Sequence, residues 1–180
     1  MGYGLPASIG VQVAHPEALV INVAGDASWL MNMQEMGTAV QFRAPVKQFI
    51  LNNERLGMVR QWQTLFYGGH YSHTKLGGEV YVPDFVKLSD ALGAEAIRVT
   101  TEEEVLPAIK RAREINDRPV VIEFIVGEDA QVWPMISAGS SNSDIQYAMN
   151  IRPFFDLEES AGEAPEDIDD VVEIETEKGN

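Results

Sequence analysis

The chain has 180 residues, 45% of them apolar, no cysteine and a formal net charge of −15. This length buries one full core, so the sequence reads as one domain with a tail. The missing cysteines exclude a disulfide scaffold and any thiolate site, and the acidic balance argues against a nucleic-acid partner. Gly2, Gly4 and Pro6 make a turn into a first helix that runs to about His15, with Ile9, Val11 and Val13 as its apolar surface. No secretory pattern precedes it, and no apolar run approaches the roughly 18 residues of a membrane span, so a cytoplasmic location without a membrane partner is expected.

Two short apolar runs follow, Leu19–Val23 and Val46–Leu51, each ending in a small polar cluster and separated by room for one crossover helix. The pattern predicts a βαβ unit with parallel, neighbouring strands. Gly25-Asp26-Ala27-Ser28 after the first strand and Asn52-Asn53 after the second then emerge at the same sheet edge, and Asp26 and Asn53 face one pocket. A carboxylate and an amide carbonyl there suit Mg²⁺, which prefers oxygen ligands shared with water and phosphate. Backbone N–H groups where Ala27 and Ser28 lead into a helix would receive a diphosphate, and the loop has no lysine to supply the counter-charge otherwise. On spacing alone a second reading stands beside this one: Asp26 and Ser28 cap a helix, and the two asparagines close a strand.

The crossover helix is expected over Trp29–Phe42, with Leu30, Met33, Met36 and Val40 on the sheet, and Arg43-Ala44-Pro45 ends it. After Asn53 another helix carries Met58, Trp62 and Leu65 on one stripe, by default buried core. The Gly-, Tyr- and His-rich stretch Tyr67–Tyr81 is a long loop; His70 and His73 lack a third metal ligand, so no zinc site is expected. Asp84 caps a short helix with Phe85, Leu88 and Leu92 inward, which Gly93 ends. Ala94–Val99 is a third strand. Thr100 or Thr101 then caps a helix whose Glu102, Glu103 and Glu104 suit its positive end and Lys110, Arg111 and Arg113 its negative end. Asp117–Pro119 turns into Val120–Val126, the most apolar strand, which should be central or well covered. From Asp156 to Asn180 eleven acidic residues and one lysine leave 11 − 1 = 10 of the 15 net negative charges. That tail is expected to stay solvated and disordered; docking to a basic partner, or a short strand over Val171, Val172 and Ile174, are the other readings.

The 23 residues between GDAS and Asn52-Asn53 match the spacing of the thiamine-diphosphate motif. Together with MGYGLPASIG, LNNERLGMVRQWQ and Tyr71-Ser72-His73-Thr74, the chain resembles the C-terminal cofactor-binding domain of the acetolactate synthase catalytic subunit over residues 1–138, fading from Gly139. The resemblance implies an α/β fold, a three-layer parallel sheet with helices on both faces, followed by an extension and acidic tail over 139–180. It implies thiamine diphosphate and Mg²⁺ as cofactors, with FAD in a domain this chain lacks. Asp26, Asn53 and the backbone carbonyl of Arg55 become the metal ligands, and Met1, Gly25, Asp26, Ala27, Ser28, Asn53, Gly57 and Met58 the cofactor contacts, with Met1 holding the cofactor bent. Met58 and Trp62 become the substrate wall, where Trp62 selects the acceptor 2-keto acid. The loop from Tyr67 and the segment Trp133-Pro134-Met135 are expected to close over the site.

The implied reaction decarboxylates pyruvate and ligates the two-carbon unit to a second pyruvate or 2-ketobutyrate, in branched-chain amino acid biosynthesis. In that family a glutamate from the N-terminal domain of a neighbouring subunit starts the chemistry. The chain alone is therefore expected to be silent and part of a homo-oligomer, at least a dimer, with a regulatory small subunit as a further partner. Pyruvate oxidase, glyoxylate carboligase and benzoylformate decarboxylase share the motif framework, and a cofactor-binding or regulatory module without catalysis is the reading outside enzymes.

Overall fold

Four parallel strands, β1 (Ile21–Gly25), β2 (Lys47–Asn52), β3 (Glu95–Val99) and β4 (Val120–Ile125), form one sheet in the order β1-β2-β4-β3. The computed structural model describes residues 1–77, 83–128 and 130–145. The expected end of the long loop at Gly78–Tyr81 and the acidic tail Asp156–Asn180 lie outside the described residues. Among the described residues six α-helices, α1 (Gly4–Ala14), α2 (Asp26–Leu30), α3 (Glu35–Gln41), α4 (Gly57–Phe66), α5 (Phe85–Ala91) and α6 (Val105–Glu114), and a 3-10 turn at Glu102–Glu104 complete the order. The chain forms two compact units, Met1–Gln131 and Val132–Asn180; in the second, Ser140 N–H donates to Ser137 O (3.0 Å) and Asp144 N–H to Ser141 O (2.9 Å). No helix among the described residues is long and apolar enough to cross a membrane.

Strand alternation splits the interior into two cores. Val121 of β4 joins Leu5, Ile9, Trp29, Met36, Ile50 and Phe85, so α1, α2, α3 and α5 cover one face. Val120, Ile122 and Phe124 join Ala108 and Ala112 of α6 on the other. The expected three-layer α/β architecture follows, with β4 central. Since α6 lies over β4 and β3, Ile21 and Val23 of the edge strand β1 stay exposed on that face.

Several expectations shift. The crossover helix is broken at Met31–Gln34 into α2 and α3, because Asn32 turns its side chain to donate to the Gly2 carbonyl (2.6 Å) and its N–H to Trp29 O. Val11 and Val13 of α1 are exposed, leaving Leu5 and Ile9 as its apolar anchor. The Met58, Trp62, Leu65 stripe is exposed; Gln61 is the buried residue of α4. Asp84 caps α5 by accepting from Lys87 N–H, Gly93 follows with φ +92°, and Thr101 forms a capping box with Glu104, as expected. At the other end of α6 the Ile115 carbonyl receives the ammonium of Lys47, a buried β2 lysine whose pKa burial lowers, opposed by Asp117.

A polar chain docks α1 onto the sheet: Asn22 Nδ2 donates to Gln48 Oε1 (2.6 Å), Gln48 Nε2 to Ser8 Oγ (2.8 Å), and Ser8 Oγ to Leu5 O (2.7 Å). Gly4 makes that approach feasible, because a Cβ there would overlap Asn22 Oδ1 and lie 3.0 Å from its Cγ. Gly4→Ala is expected to cost about 1–3 kcal/mol, the scale of overpacking. A thermal melt unchanged from wild type would show that α1 shifts freely.

Candidate functional site

The carboxyl ends of β1 and β2 meet by register. Gly25 lies beside Leu51, so Asp26 follows beside Asn52, one residue short of Asn53. Asp26 opens α2 and is 1% exposed. Its Oδ1 accepts from Ala27 N–H (2.8 Å), whereas Oδ2 is buried with no hydrogen-bond partner among the described residues. Burial pushes the carboxyl above its ordinary value, the Ala27 and Glu54 N–H groups pull it back, and the Glu54 carboxylate pushes it up again. The Glu54 N–H is committed to Asn52 Oδ1 (3.1 Å), so it acts on Asp26 by proximity and leaves Oδ2 unpartnered. An ionised oxygen left this way costs at least about 1–3 kcal/mol, a cost that a bound cation removes.

The second strand delivers a tight turn. Asn53 Oδ1 accepts from Arg55 N–H (3.2 Å), and Glu54 sits at φ +54°. None of the described residues donates to the Arg55 carbonyl, while the buried Arg55 side chain pairs with Glu128 and donates to Glu54 O (3.1 Å). A bridge between Arg55 and Lys75 fastens the loop after α4 to this turn, through Leu56 N–H to Thr74 O and Leu76 N–H to Glu54 O. Gly77 crosses so close to Glu54 that any side chain there would overlap its carboxylate.

Thus Asp26 meets the Asn52–Arg55 turn, and Gly57 adjoins Asn53, whose Nδ2 is 3.5 Å from where a Gly57 Cβ would lie. A Cβ at Gly25 would meet nothing within 4 Å among the described residues, so the chain is open on that side. Ser28 Oγ accepts from Gly2 N–H (3.1 Å), which brings the N-terminal segment to α2 and leaves Met1 82% exposed beside it. Met58 and Trp62, with Val59, Gln63 and Tyr67, line an open apolar depression of about 460 Å³ whose lining includes neither Asp26 nor Asn53. A second cavity, about 540 Å³, lies at the opposite strand ends between Glu17, Arg43, Arg113 and Asn116. Asp26, Asn53 and the Arg55 carbonyl offer only hard oxygen donors, which fits Mg²⁺. Among the described residues no group of three or more His, Cys, Asp or Glu gathers into an all-side-chain metal site.

Sequence reasoning passed over Glu54, the second carboxylate beside Asp26, and Asn52, which holds the turn from behind. Glu123 was legible in principle: an acid inside the apolar run VVIEFI demands a buried partner.

Residues 1–124 match the family described as thiamine pyrophosphate enzyme, C-terminal TPP binding domain. The acetolactate synthase large subunit of Corynebacterium glutamicum is 61% identical over 173 residues, 96% of this chain and 28% of that protein. The acetolactate synthase of Mycobacterium leprae is 52% identical over 163 residues, 90% of this chain and 26% of that protein. Among solved structures, the thiamine diphosphate-dependent 4-hydroxybenzoylformate decarboxylase of Rhodococcus jostii aligns with a TM-score of 0.65 and 31% identity, covering 72% of this chain and 24% of that one. The chain therefore spans under a third of the length of these proteins, and its cofactor-edge geometry and sequence agree on one conclusion: it belongs to the thiamine pyrophosphate enzymes, as a C-terminal TPP-binding domain.

Proposed function

We propose that the chain is the cofactor-binding domain of an acetolactate synthase that joins a two-carbon unit from pyruvate to a second pyruvate or to 2-ketobutyrate. The observation that carries the cofactor reading is the buried Asp26 Oδ2, unpartnered among the described residues, beside the Asn53–Arg55 turn. Identity of 61% across 96% of the chain supports the choice of enzyme. Asp26, Asn53 and the Arg55 carbonyl would hold Mg²⁺; Gly25, Ala27, Ser28 and Gly57 would receive the diphosphate, and Met1 and Met58 the organic part of the cofactor. When bound, thiamine diphosphate supplies an acidic thiazolium carbon that adds to a 2-keto acid and retains two carbons after CO₂ leaves. This chain's share would be to hold the cation that offsets the diphosphate charge, to fix the position of the group and, through the Met58 and Trp62 face, to exclude water and choose the acceptor. The proton-transferring glutamate, an FAD domain and the second subunit of the shared site lie outside this chain in the same reading.

Tryptophan fluorescence of the chain titrated with thiamine diphosphate, with and without Mg²⁺, tests this. Mg²⁺-dependent saturable quenching is expected, and its absence overturns the cofactor assignment. Acetolactate produced from pyruvate by the purified chain alone would overturn the placement of the glutamate elsewhere. Trp62, 42% exposed, supports little of the core. In the complete enzyme, Trp62→Leu is expected to lower the preference for 2-ketobutyrate over pyruvate by about tenfold or more, the scale of one methylene in a contact pocket. Competition between the two acceptors, with an unchanged melting temperature, reads the effect.

A further inference from the structure

Asn52 is the point where the sheet meets the metal turn. Its Oδ1 accepts from Glu54 N–H (3.1 Å) and its Nδ2 donates to Glu123 Oε1 (2.7 Å). Glu123 Oε2 accepts from Arg98 Nε (2.7 Å), and Arg98 Nη2 donates to Asp84 Oδ1 (2.7 Å). Asn52 is 5% exposed and Glu123 2%, so neither can turn to water for a substitute partner. An ionised carboxylate only accepts, so Glu123 obliges the Asn52 amide to turn its NH₂ toward β4 and its oxygen toward Glu54. Without that orientation the Glu54 N–H faces another donor, and the left-handed turn at Glu54 loses the bond that holds it.

We infer that Glu123 is a positioning residue for the cofactor site: by fixing the Asn52 amide it holds the turn at Glu54, the residue that neighbours Asp26, and with it the Asn53 and Arg55 oxygens on either side. The inference rests on the proposed cofactor reading for its consequence, but its geometry belongs to the ligand-free chain. Outer partners of this kind change metal affinity about 10- to 100-fold when removed.

Glu123→Gln keeps shape and burial but offers one oxygen and one NH₂. Charged Arg98 takes the oxygen, the new NH₂ faces Asn52, and the Asn52 amide must flip, turning its own NH₂ to Glu54 N–H. Combining Glu123→Gln with Asn52→Asp restores every pairing and the total charge, because the new carboxylate accepts from both the introduced NH₂ and Glu54 N–H. Two readouts in the 180-residue chain decide the matter: hydrogen exchange at the Glu54 amide without ligand, and the Mn²⁺ dissociation constant with thiamine diphosphate present. Glu123→Gln is expected to speed the exchange by about tenfold, the worth of one hydrogen bond, and to weaken Mn²⁺ binding about 10- to 100-fold; the double variant is expected to recover both. A folded Glu123→Gln chain with wild-type exchange at Glu54, or a double variant no better than the single one, overturns the inference. Should Glu123→Gln not fold, the double variant carries the test: folding with wild-type exchange supports the inference, and failure to fold overturns it. A wild-type chain that takes up no Mn²⁺ with thiamine diphosphate sinks the cofactor reading instead, while exchange at Glu54 still decides the positioning role.

Discussion

Asp26→Asn is expected to weaken Mg²⁺-dependent binding of thiamine diphosphate severely while leaving the ligand-free chain at least as stable as before. Both directions come from one atom. Among the described residues nothing partners the buried Asp26 Oδ2, so the carboxylate is a burden to the chain without a cation and an attractive ligand for one. Removing a buried charge from its opposite partner costs about 2–5 kcal/mol, which is roughly 30- to 5,000-fold in affinity.

The pH dependence has a defined sign. Burial raises the Asp26 carboxyl above its ordinary 3.8, so the folded chain holds that proton more tightly than the unfolded chain. Below the ordinary value both states are protonated and no cost appears. As pH rises through the raised value the folded chain must ionise a buried group, so ligand-free stability falls across that window and stays lower at neutral pH. Asn does not titrate, so the stability gap between variant and wild type widens from acid to neutral pH. Mg²⁺ with thiamine diphosphate reverses this for wild type alone, because the cation favours the carboxylate. Thermal melts at acidic and neutral pH, with and without ligand, read all four conditions. An Asp26→Asn chain that binds the cofactor as tightly as wild type would remove Asp26 from the proposed metal ligands.

The parts of this molecule that were legible in the sequence are those set by local chemistry. Two apolar runs closed by small polar residues gave parallel β1 and β2, and Asp84, Gly93 and Thr101 announced helix ends because their side chains or backbone act within a few residues. The break between α2 and α3 was invisible, since it depends on Asn32 reaching Gly2, thirty residues away. The stripe on α4 is a face, as its period implies, but not the buried core that is the default for such a stripe: periodicity reports that Met58, Trp62 and Leu65 align, not what covers them. At the site, the spacing from GDAS to Asn52-Asn53 anticipated the juxtaposition of Asp26 with the turn, because parallel neighbours fix which strand ends meet. The supports behind it escaped, since Asn52, Glu123 and Arg98 lie on three different strands whose order no local pattern encodes.

Trp29→Ala is expected to cost about 3–5 kcal/mol, the usual range for removing a buried large aromatic. That is a large share of the roughly 5–15 kcal/mol that holds a domain together. Trp29 is 1% exposed and meets Phe85 edge-on at 5.8 Å with a 62° interplanar angle, so it joins α2 to α5 within the core shared by α1 and α3. The helix it anchors has five residues, too few to persist by backbone propensity, so α2 stands because its tryptophan is buried. Asp26, Ala27 and Ser28 occupy the turn immediately before that anchor, which ties the cofactor edge to a core side chain that touches no ligand. Trp29→Phe separates packing from polarity. It keeps an aromatic against Phe85 and removes the indole Nε1–H, a buried donor without an acceptor among the described residues, so part of the lost packing is offset. Urea melts should therefore rank wild type above Trp29→Phe and Trp29→Phe well above Trp29→Ala. In the Phe variant, which stays folded, any gap left beside Phe85 loosens α2, and thiamine diphosphate affinity falls together with protection of the Ala27 and Ser28 amides. Melting curves for Trp29→Ala that overlay wild type would mean that α2 is held from its Asp26 end, by the turn from β2, rather than from the core.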